Sequence, residues 1–184
     1  MHHEIMLEML DGKLHLAPIN QNPERILDVG TGTGIWAVDC AALYPSAEMI
    51  GTDLSPIQPS WIPHNVTFEV DDAARDWTRP DNYFEFIHIR NISQGIEDWD
   101  QLLGEAYRCT KPSGYLELAE LEMKLYSDDN TMAPAFNKWI QLLKDASDKM
   151  KRPSVSGVNQ TASRKRRFCG CQRRYGEATI WTLG

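Results

Sequence analysis

A glycine-rich loop constrains this 184-residue chain more than any other feature. Residues 25–29 are mostly apolar and run straight into Gly30-Thr31-Gly32-Thr33-Gly34, after which residues 34–44 have a helical pattern. A buried strand, a glycine turn and a helix in this order form a cradle that a ligand can approach closely, facing free backbone N–H groups. Ile35 stands where the dinucleotide fingerprint G-x-G-x-x-G needs glycine or alanine, so the spacing argues against NAD and FAD.

Acidic side chains stand at the ends of three predicted strands. Asp28 lies two residues before the first glycine of the loop, Asp53 ends the second strand and Asp72 follows the third. Asp28 would attract an ammonium group, Asp53 would accept both ribose hydroxyls, and Asp72 would accept an adenine amino hydrogen. Each feature alone also fits an ordinary turn or cap, but the three together fit a cationic, phosphate-free adenosyl ligand. That ligand is S-adenosylmethionine (SAM).

The pattern from residue 25 to residue 150 predicts an α/β, doubly wound domain with a mostly parallel sheet, preceded by an N-terminal helix and lead-in over residues 1–24. The predicted strands cover residues 25–29, 48–52, 65–70, 83–89 and 115–121, and the predicted helices cover residues 34–44, 96–109 and 134–150. The last helix is expected to bury Phe136, Ile140, Leu143 and Met150. Trp61, Trp77 and Trp99 are expected to fill the core.

Residues 151–184 differ from the rest of the chain in charge and pattern. Residues 1–150 carry 25 of the 26 acidic side chains and 11 of the 19 basic ones, so the tail is strongly basic. Its apolar residues follow neither the helical nor the strand period, so we expect no regular sixth and seventh strand, which leaves the fifth strand as an exposed edge. We hypothesise that a frameshift or mis-splicing event begins near Lys151. An in-frame, full-length cDNA across that point would contradict this.

Composition narrows the class of protein further. The chain has no apolar run long enough to span a membrane and does not begin like a secretory signal, and its few, scattered cysteines are expected to be reduced. We therefore expect a cytoplasmic protein without a membrane partner, and Arg164-Lys165-Arg166-Arg167 is a candidate nuclear signal. The acidic body argues against nucleic acid as a partner. Cys169-Gly170-Cys171 has no second ligand pair, so we predict no metal site.

Several segments resemble a known family. Residues 26–36 resemble the first motif of fungal LaeA-like methyltransferases, which are related to trans-aconitate methyltransferases, and the resemblance continues through residues 51–59, 68–73 and 86–91. The resemblance implies a Rossmann-like class I methyltransferase that uses SAM, is linked to secondary metabolism, and acts on a small-molecule acceptor or with a regulatory protein partner.

The same resemblance implies the cofactor-binding residues. It implies SAM contacts at Asp28, Gly30, Thr31, Gly32 and Gly34. It implies a ribose contact at Asp53, adenine contacts at Leu54, Asp72 and Ala73, and a place for Arg90 beside the methyl-transfer cleft. Glu85 departs from the family, which usually has aspartate there.

The residues leave other readings of the function open. His88 is the obvious candidate base, but its place inside a predicted central strand favours a core histidine, so no catalytic residue is assigned. The alternative function is a SAM-binding or regulatory protein without turnover. A nicotinamide-dependent oxidoreductase is the third candidate, against which the spacing of the glycine loop counts.

Overall fold

The computed structural model describes residues 2–121, 127, 129, 131–152, 170–175 and 178–183. Its elements, in chain order, are α1 (His2–Met9), β1 (Arg25–Val29), α2 (Ile35–Leu43), β2 (Glu48–Asp53), β3 (Val66–Val70), β4 (Phe84–Arg90), a 3₁₀ turn (Ser93–Gly95), α3 (Trp99–Cys109), β5 (Thr110–Leu121), α4 (Pro134–Lys149), β6 (Gly170–Tyr175) and β7 (Ala178–Leu183). The candidate nuclear signal at 164–167 and Cys169 lie outside the described residues.

The strands form one sheet in the order β3-β2-β1-β4-β5-β7-β6. Strands β1 to β5 are parallel to one another, which confirms the predicted doubly wound α/β fold, and β7 runs antiparallel between β5 and β6. The expectation that the tail supplies no sixth and seventh strand is therefore wrong, and β5 is not an edge. β7 consists largely of β-branched and aromatic residues, which favour strands, and this local preference is a signal that the absence of alternation hides.

The central strands are buried because their apolar residues face helices on both sides of the sheet. On one side Phe86 packs with Trp36 of α2 in a cluster of buried residues. On the other side Ile87 packs in a second cluster with Leu102 of α3 and Leu116 of β5. Both layers hold the carboxyl ends of β1 and β4 in fixed positions at one edge of the sheet.

Two expectations about burial are wrong. None of the α4 residues is buried, and Phe136 keeps 53% of its surface exposed. Trp61 is 91% exposed, whereas Trp77 and Trp99 are in the core as expected. Within the described ranges, no helix is long and apolar enough to cross a membrane.

Candidate functional site

A cavity of about 220 Å³ opens at the carboxyl edge of the sheet. β1 lies between β2 and β4, so the strand order reverses there, and ligands of doubly wound folds bind at such a reversal. The residues around the cavity come from the ends of β1 to β4 and from the 3₁₀ turn with the residues beside it. They are Gly30, Thr52, Asp53, Leu54, Asp71, Asp72, Ala73, Asn91, Ile92, Gln94, Gly95 and Ile96.

Half of the sequence-predicted site residues line this cavity. These are Gly30, Asp53, Leu54, Asp72 and Ala73. The remaining five, Asp28, Thr31, Gly32, Gly34 and Arg90, lie outside its lining. Two of these five support the lining residues: the N–H of Gly32 donates to Asp53, and the N–H of Thr31 donates to the carbonyl oxygen of Thr52.

The glycine loop is folded tightly against its neighbours at both ends. Gly30 and Gly34 have φ angles of 71° and 79°, in the left-handed region that favours glycine. A Cβ on Gly30 would lie 2.3 Å from Cγ2 of Ile92, and a Cβ on Gly34 would lie 2.3 Å from Cζ of Phe68. No side chain fits at either position, which is why the sequence has glycine there.

Asp53 is held in place by two backbone donors. Its Oδ2 accepts a hydrogen bond from the N–H of Gly32 at 2.8 Å, and its Oδ1 accepts one from the N–H of Ser55 at 3.0 Å. A carboxylate has about four acceptor positions, so Asp53, which is only partly buried, retains capacity for two ligand hydroxyls. Sequence reasoning missed Gln58, whose Nε2 donates to the carbonyl oxygens of Gly32 and Ser55; the only signal was its place in the family-like string 51–59.

Asp72 forms a tight turn beside the cavity. Its Oδ1 accepts from the N–H of Ala74 at 3.0 Å, and its Oδ2 pairs with Nε of Arg75 at 3.1 Å. Leu54 lies at the same cavity with 66% of its surface exposed. An exposed apolar side chain and a fixed carboxylate together suit a flat heterocycle with an amino group.

Asp28 is buried within the fold and faces two internal partners. Its Oδ2 accepts from the hydroxyl of Thr31 at 2.6 Å, and its Oδ1 lies 2.7 Å from Nδ1 of His88. Burial lowers the pKa of His88, so the neutral ring donates its Nδ1–H to the carboxylate. His88 stacks on Trp36 with 3.7 Å between ring centres, and it is the core histidine that its strand position favoured. Its Nε2 has no hydrogen-bond partner in the described part of the chain.

Helix α1 closes over the end of β4. Nε2 of His3 lies 2.9 Å from Asp39 of α2, and Nδ1 of the same ring lies 3.2 Å from a guanidinium nitrogen of Arg90. His2 pairs in the same way with Asn91, at 2.6 Å between Nε2 and Nδ2. Since Asn91 lines the cavity, the N-terminal helix contacts the site directly. Burial lowers the pKa of Arg90.

Glu85, where the sequence departs from the family-like pattern, has a supporting role. Its Oε2 accepts from the N–H of Arg25 at 2.7 Å, and its Oε1 pairs with Nζ of Lys111. The residue therefore joins the start of β1 to β5, away from the carboxyl edge of the sheet. Glu85 is not part of the cavity lining.

The negative charge of the cavity favours a cationic ligand over an anionic one. Three carboxylates line it, those of Asp53, Asp71 and Asp72, and none of the described lining residues is basic. A phosphate group would be repelled there, and a cation would be attracted. The described residues contain no group of three or more His, Cys, Asp or Glu that could hold a metal ion.

Comparison with known proteins agrees with this geometry. The family described as "Methyltransferase domain" matches residues 1–160, so the chain belongs to that family. It is 45% identical over 133 residues to methyltransferase pytC of Aspergillus terreus, which covers 72% of this chain and 41% of that protein. It is 39% identical over 159 residues to the secondary metabolism regulator LAE1 of Cochliobolus heterostrophus, which covers 83% of this chain and 52% of that protein. The chain thus spans about half or less of these relatives.

Solved structures show the same fold at low sequence identity. Phosphoethanolamine N-methyltransferase 2 of Haemonchus contortus, solved with S-adenosyl-L-methionine, matches with a TM-score of 0.66 at 20% identity, covering 92% of this chain and 38% of that one. A SAM-dependent methyltransferase from Aquifex aeolicus matches with a TM-score of 0.61 at 14% identity, covering 98% and 87%.

Proposed function

We propose that this chain binds SAM in the cavity at the carboxyl edge of the sheet and transfers its methyl group to an acceptor. The observation that carries the proposal is the cavity itself, which combines a glycine loop with carboxylates from β2 and β3 and has no basic residue among its described lining. The family match and the SAM-dependent relatives in structure support it.

The described residues would divide the binding between them. Asp53 would accept the ribose hydroxyls, and Leu54, Asp72 and Ala73 would hold the adenine ring. Gly30 lines the cavity, while Gly32 and Gly34 shape the loop beside it. Asp28 contributes by fixing Thr31, because it is buried outside the cavity lining and its oxygens face Thr31 and His88. Arg90 lies beside the methyl-transfer cleft in this proposal.

SAM supplies an electrophilic methyl carbon on a sulfonium sulfur. A lone pair of the acceptor forms the new bond to that carbon as the carbon–sulfur bond breaks, and its electron pair remains on sulfur. Positioning of the two reactants provides much of the acceleration of such a displacement. The task of this chain is therefore to orient SAM and the acceptor in line and to exclude water.

The first test is titration calorimetry with SAM and with NAD on the wild type and on Asp53→Ala. We expect the wild type to bind SAM and not NAD. We expect Asp53→Ala to bind SAM at least tenfold more weakly, because each hydrogen bond to a charged group contributes about 1.5–3 kcal/mol. The matched control is Asp145→Ala, an exposed α4 residue whose carboxylate accepts from the amide of Gln141 and does not line the cavity, and it should bind like the wild type. Unchanged binding by Asp53→Ala would refute the site.

A second candidate is a protein that binds SAM for regulation without methyl transfer. It is favoured by the similarity to a secondary metabolism regulator and by the burial of His88, the obvious candidate base. An assay of methyl release from labelled SAM, with small-molecule acceptors and with proteins from a fungal extract, separates the two. Transfer to any acceptor supports the enzyme, and SAM binding without transfer supports the regulator.

We further propose the following division and location of the chain. Residues 1–24 form the lead-in, residues 25–150 the SAM-binding domain, and residues 151–184 a basic tail that contains β6 and β7. A frameshift or mis-splicing event near Lys151 stays a hypothesis, and the pairing of β7 with β5 counts against it. The protein is cytoplasmic, and the basic run at 164–167 can direct it to the nucleus. Imaging of a fluorescently tagged chain, with and without alanine at these four positions, tests the location.

A further inference from the structure

Both polar groups of Gly32 are held by the segment that follows β2. The N–H of Gly32 donates to Oδ2 of Asp53 at 2.8 Å, and its carbonyl oxygen accepts from Nε2 of Gln58 at 2.7 Å. The same Nε2 donates its other hydrogen to the carbonyl oxygen of Ser55 at 3.0 Å. A single amide group therefore ties the middle of the glycine loop to the loop after β2.

Gly32 has no steric support of its own. Its φ angle is 58°, and a Cβ placed on it would meet nothing within 4 Å, unlike Gly30 against Ile92 and Gly34 against Phe68. A glycine in open space has access to many backbone conformations. The conformation of the loop centre thus depends on the hydrogen bonds from Asp53 and Gln58.

We propose that Gln58 is a positioning residue of the SAM site, which holds the glycine loop in its binding conformation before SAM arrives. A peptide unit is planar and trans, so fixing the carbonyl of Gly32 also fixes the direction of the next N–H, that of Thr33, away from Gln58. Asp53 cannot replace this contact, because a carboxylate accepts hydrogen bonds and the carbonyl of Gly32 needs a donor. This inference rests on the proposed function, since it concerns the same site.

Two substitutions separate the donor from the size of the side chain. Gln58→Leu removes both hydrogen bonds, and Gln58→Glu keeps the shape but places a carboxylate against two carbonyl oxygens. We expect the Kd for SAM to rise about tenfold in Gln58→Leu and at least as much in Gln58→Glu at pH 8. Gln141→Leu, which removes an exposed amide on α4, is the control and should leave the Kd unchanged.

A pH profile distinguishes positioning from general damage. A protonated carboxyl regains one donor, so the Kd of Gln58→Glu should fall several-fold from pH 8 to pH 5.5, relative to the wild type. Two kinds of neighbour raise the pKa of the carboxyl introduced at position 58. One is the Asp53 carboxylate, which is bonded to the same loop, and the other is the pair of carbonyl oxygens. Gln58→Leu has no group there to titrate and should show no such recovery.

Hydrogen exchange of residues 28–36 in the ligand-free protein gives a readout that does not need SAM. Exchange in this segment should be faster in Gln58→Leu than in the wild type and unchanged in Gln141→Leu. If the wild type binds SAM while both Gln58 variants bind equally well and exchange normally, the inference is overturned and the proposed function stands. If the wild type does not bind SAM, the proposed function fails, and the exchange data still decide whether Gln58 holds the loop.

Discussion

Two left-handed glycines, Gly30 in the glycine loop and Gly12 in the lead-in, are under different constraints. Gly30 needs both a positive φ and an absent side chain, because Ile92 fills the space beside it. Gly12, in the lead-in, has a similar φ of 77° but open surroundings. Comparing the two residues therefore separates the cost of backbone strain from the cost of a steric clash.

Alanine at these two positions should destabilise the protein by different amounts. Gly12→Ala should cost about 1 kcal/mol, the usual penalty for a side chain in the left-handed region. Gly30→Ala should cost at least about 2 kcal/mol, since overpacking adds its own penalty. Urea unfolding of each variant measures both values. In an Ile92→Ala background the excess for Gly30→Ala should shrink, and an excess that persists there would contradict the steric explanation.

Among the elements, those with strong apolar patterns could be predicted from sequence, and short elements without such a pattern could not. β1 and β4 were found because buried parallel strands are almost continuously apolar. The 3₁₀ turn Ser93–Gly95, which supplies part of the cavity, has no such pattern. β7 reads Ala-Thr-Ile-Trp-Thr-Leu, which is rich in β-branched and aromatic residues, but it is short and lacks the alternation on which a strand prediction for the tail would depend.

The candidate site divides in the same way. Asp53 and Asp72 were identified because acidic residues at strand ends are visible along the chain. The roles of Asn91 and Gln58 depend on which loops meet in space, and sequence spacing does not encode that. Asp28 is predicted from sequence as a SAM contact, and its contact with His88 could not be predicted because it joins residues 60 positions apart on two strands.

The start of α3 allows a direct test of one element boundary. The helix was predicted from residue 96 but begins at Trp99, because Oδ1 of Asp98 accepts from the N–H of Gln101 at 3.0 Å and caps it. Asp98→Ala should lower the free energy of unfolding by about 1 kcal/mol, the usual value of such a cap. Asp98→Asn keeps an acceptor and should cost clearly less. Equal losses in the two variants, measured in urea, would count against capping.

At the scale of the whole molecule, two buried carboxyls couple stability to pH. Burial raises the pKa of Glu117 and of Glu120 to about 7, from a usual value near 4.5. Between these values the folded protein keeps protons that the unfolded chain has released. Stability from these groups is therefore fully present below about pH 4.5 and is lost as the pH rises through 7. Burial lowers the pKa of His15 and His88, so these histidines act in the opposite direction.

The substitution Glu117→Gln separates the contribution of this carboxyl to the pH dependence of stability from the contribution of the histidines. Relative to the wild type, the variant should gain on the order of 3 kcal/mol of stability between pH 4.5 and pH 8, because its amide does not titrate. Unfolding free energies of both proteins at several pH values give this difference. Glu8→Gln, an exposed change on α1, is the control. If the difference in unfolding free energy between the wild type and the variant does not change with pH, Glu117 does not titrate in this range.

Glu117 also links the start of the chain to its middle. Its Oε2 accepts from the N–H groups of Leu16 and Ala17 at 2.8 and 2.7 Å, and 100 positions separate Ala17 from Glu117. At a synthesis rate of about 5–20 residues per second, the lead-in waits roughly 5 to 20 seconds for its acceptor to be made. Until Glu117 has been synthesised, the N–H groups of Leu16 and Ala17 therefore lack this acceptor. The contact between the lead-in and β5 can therefore form only after the ribosome has synthesised β5.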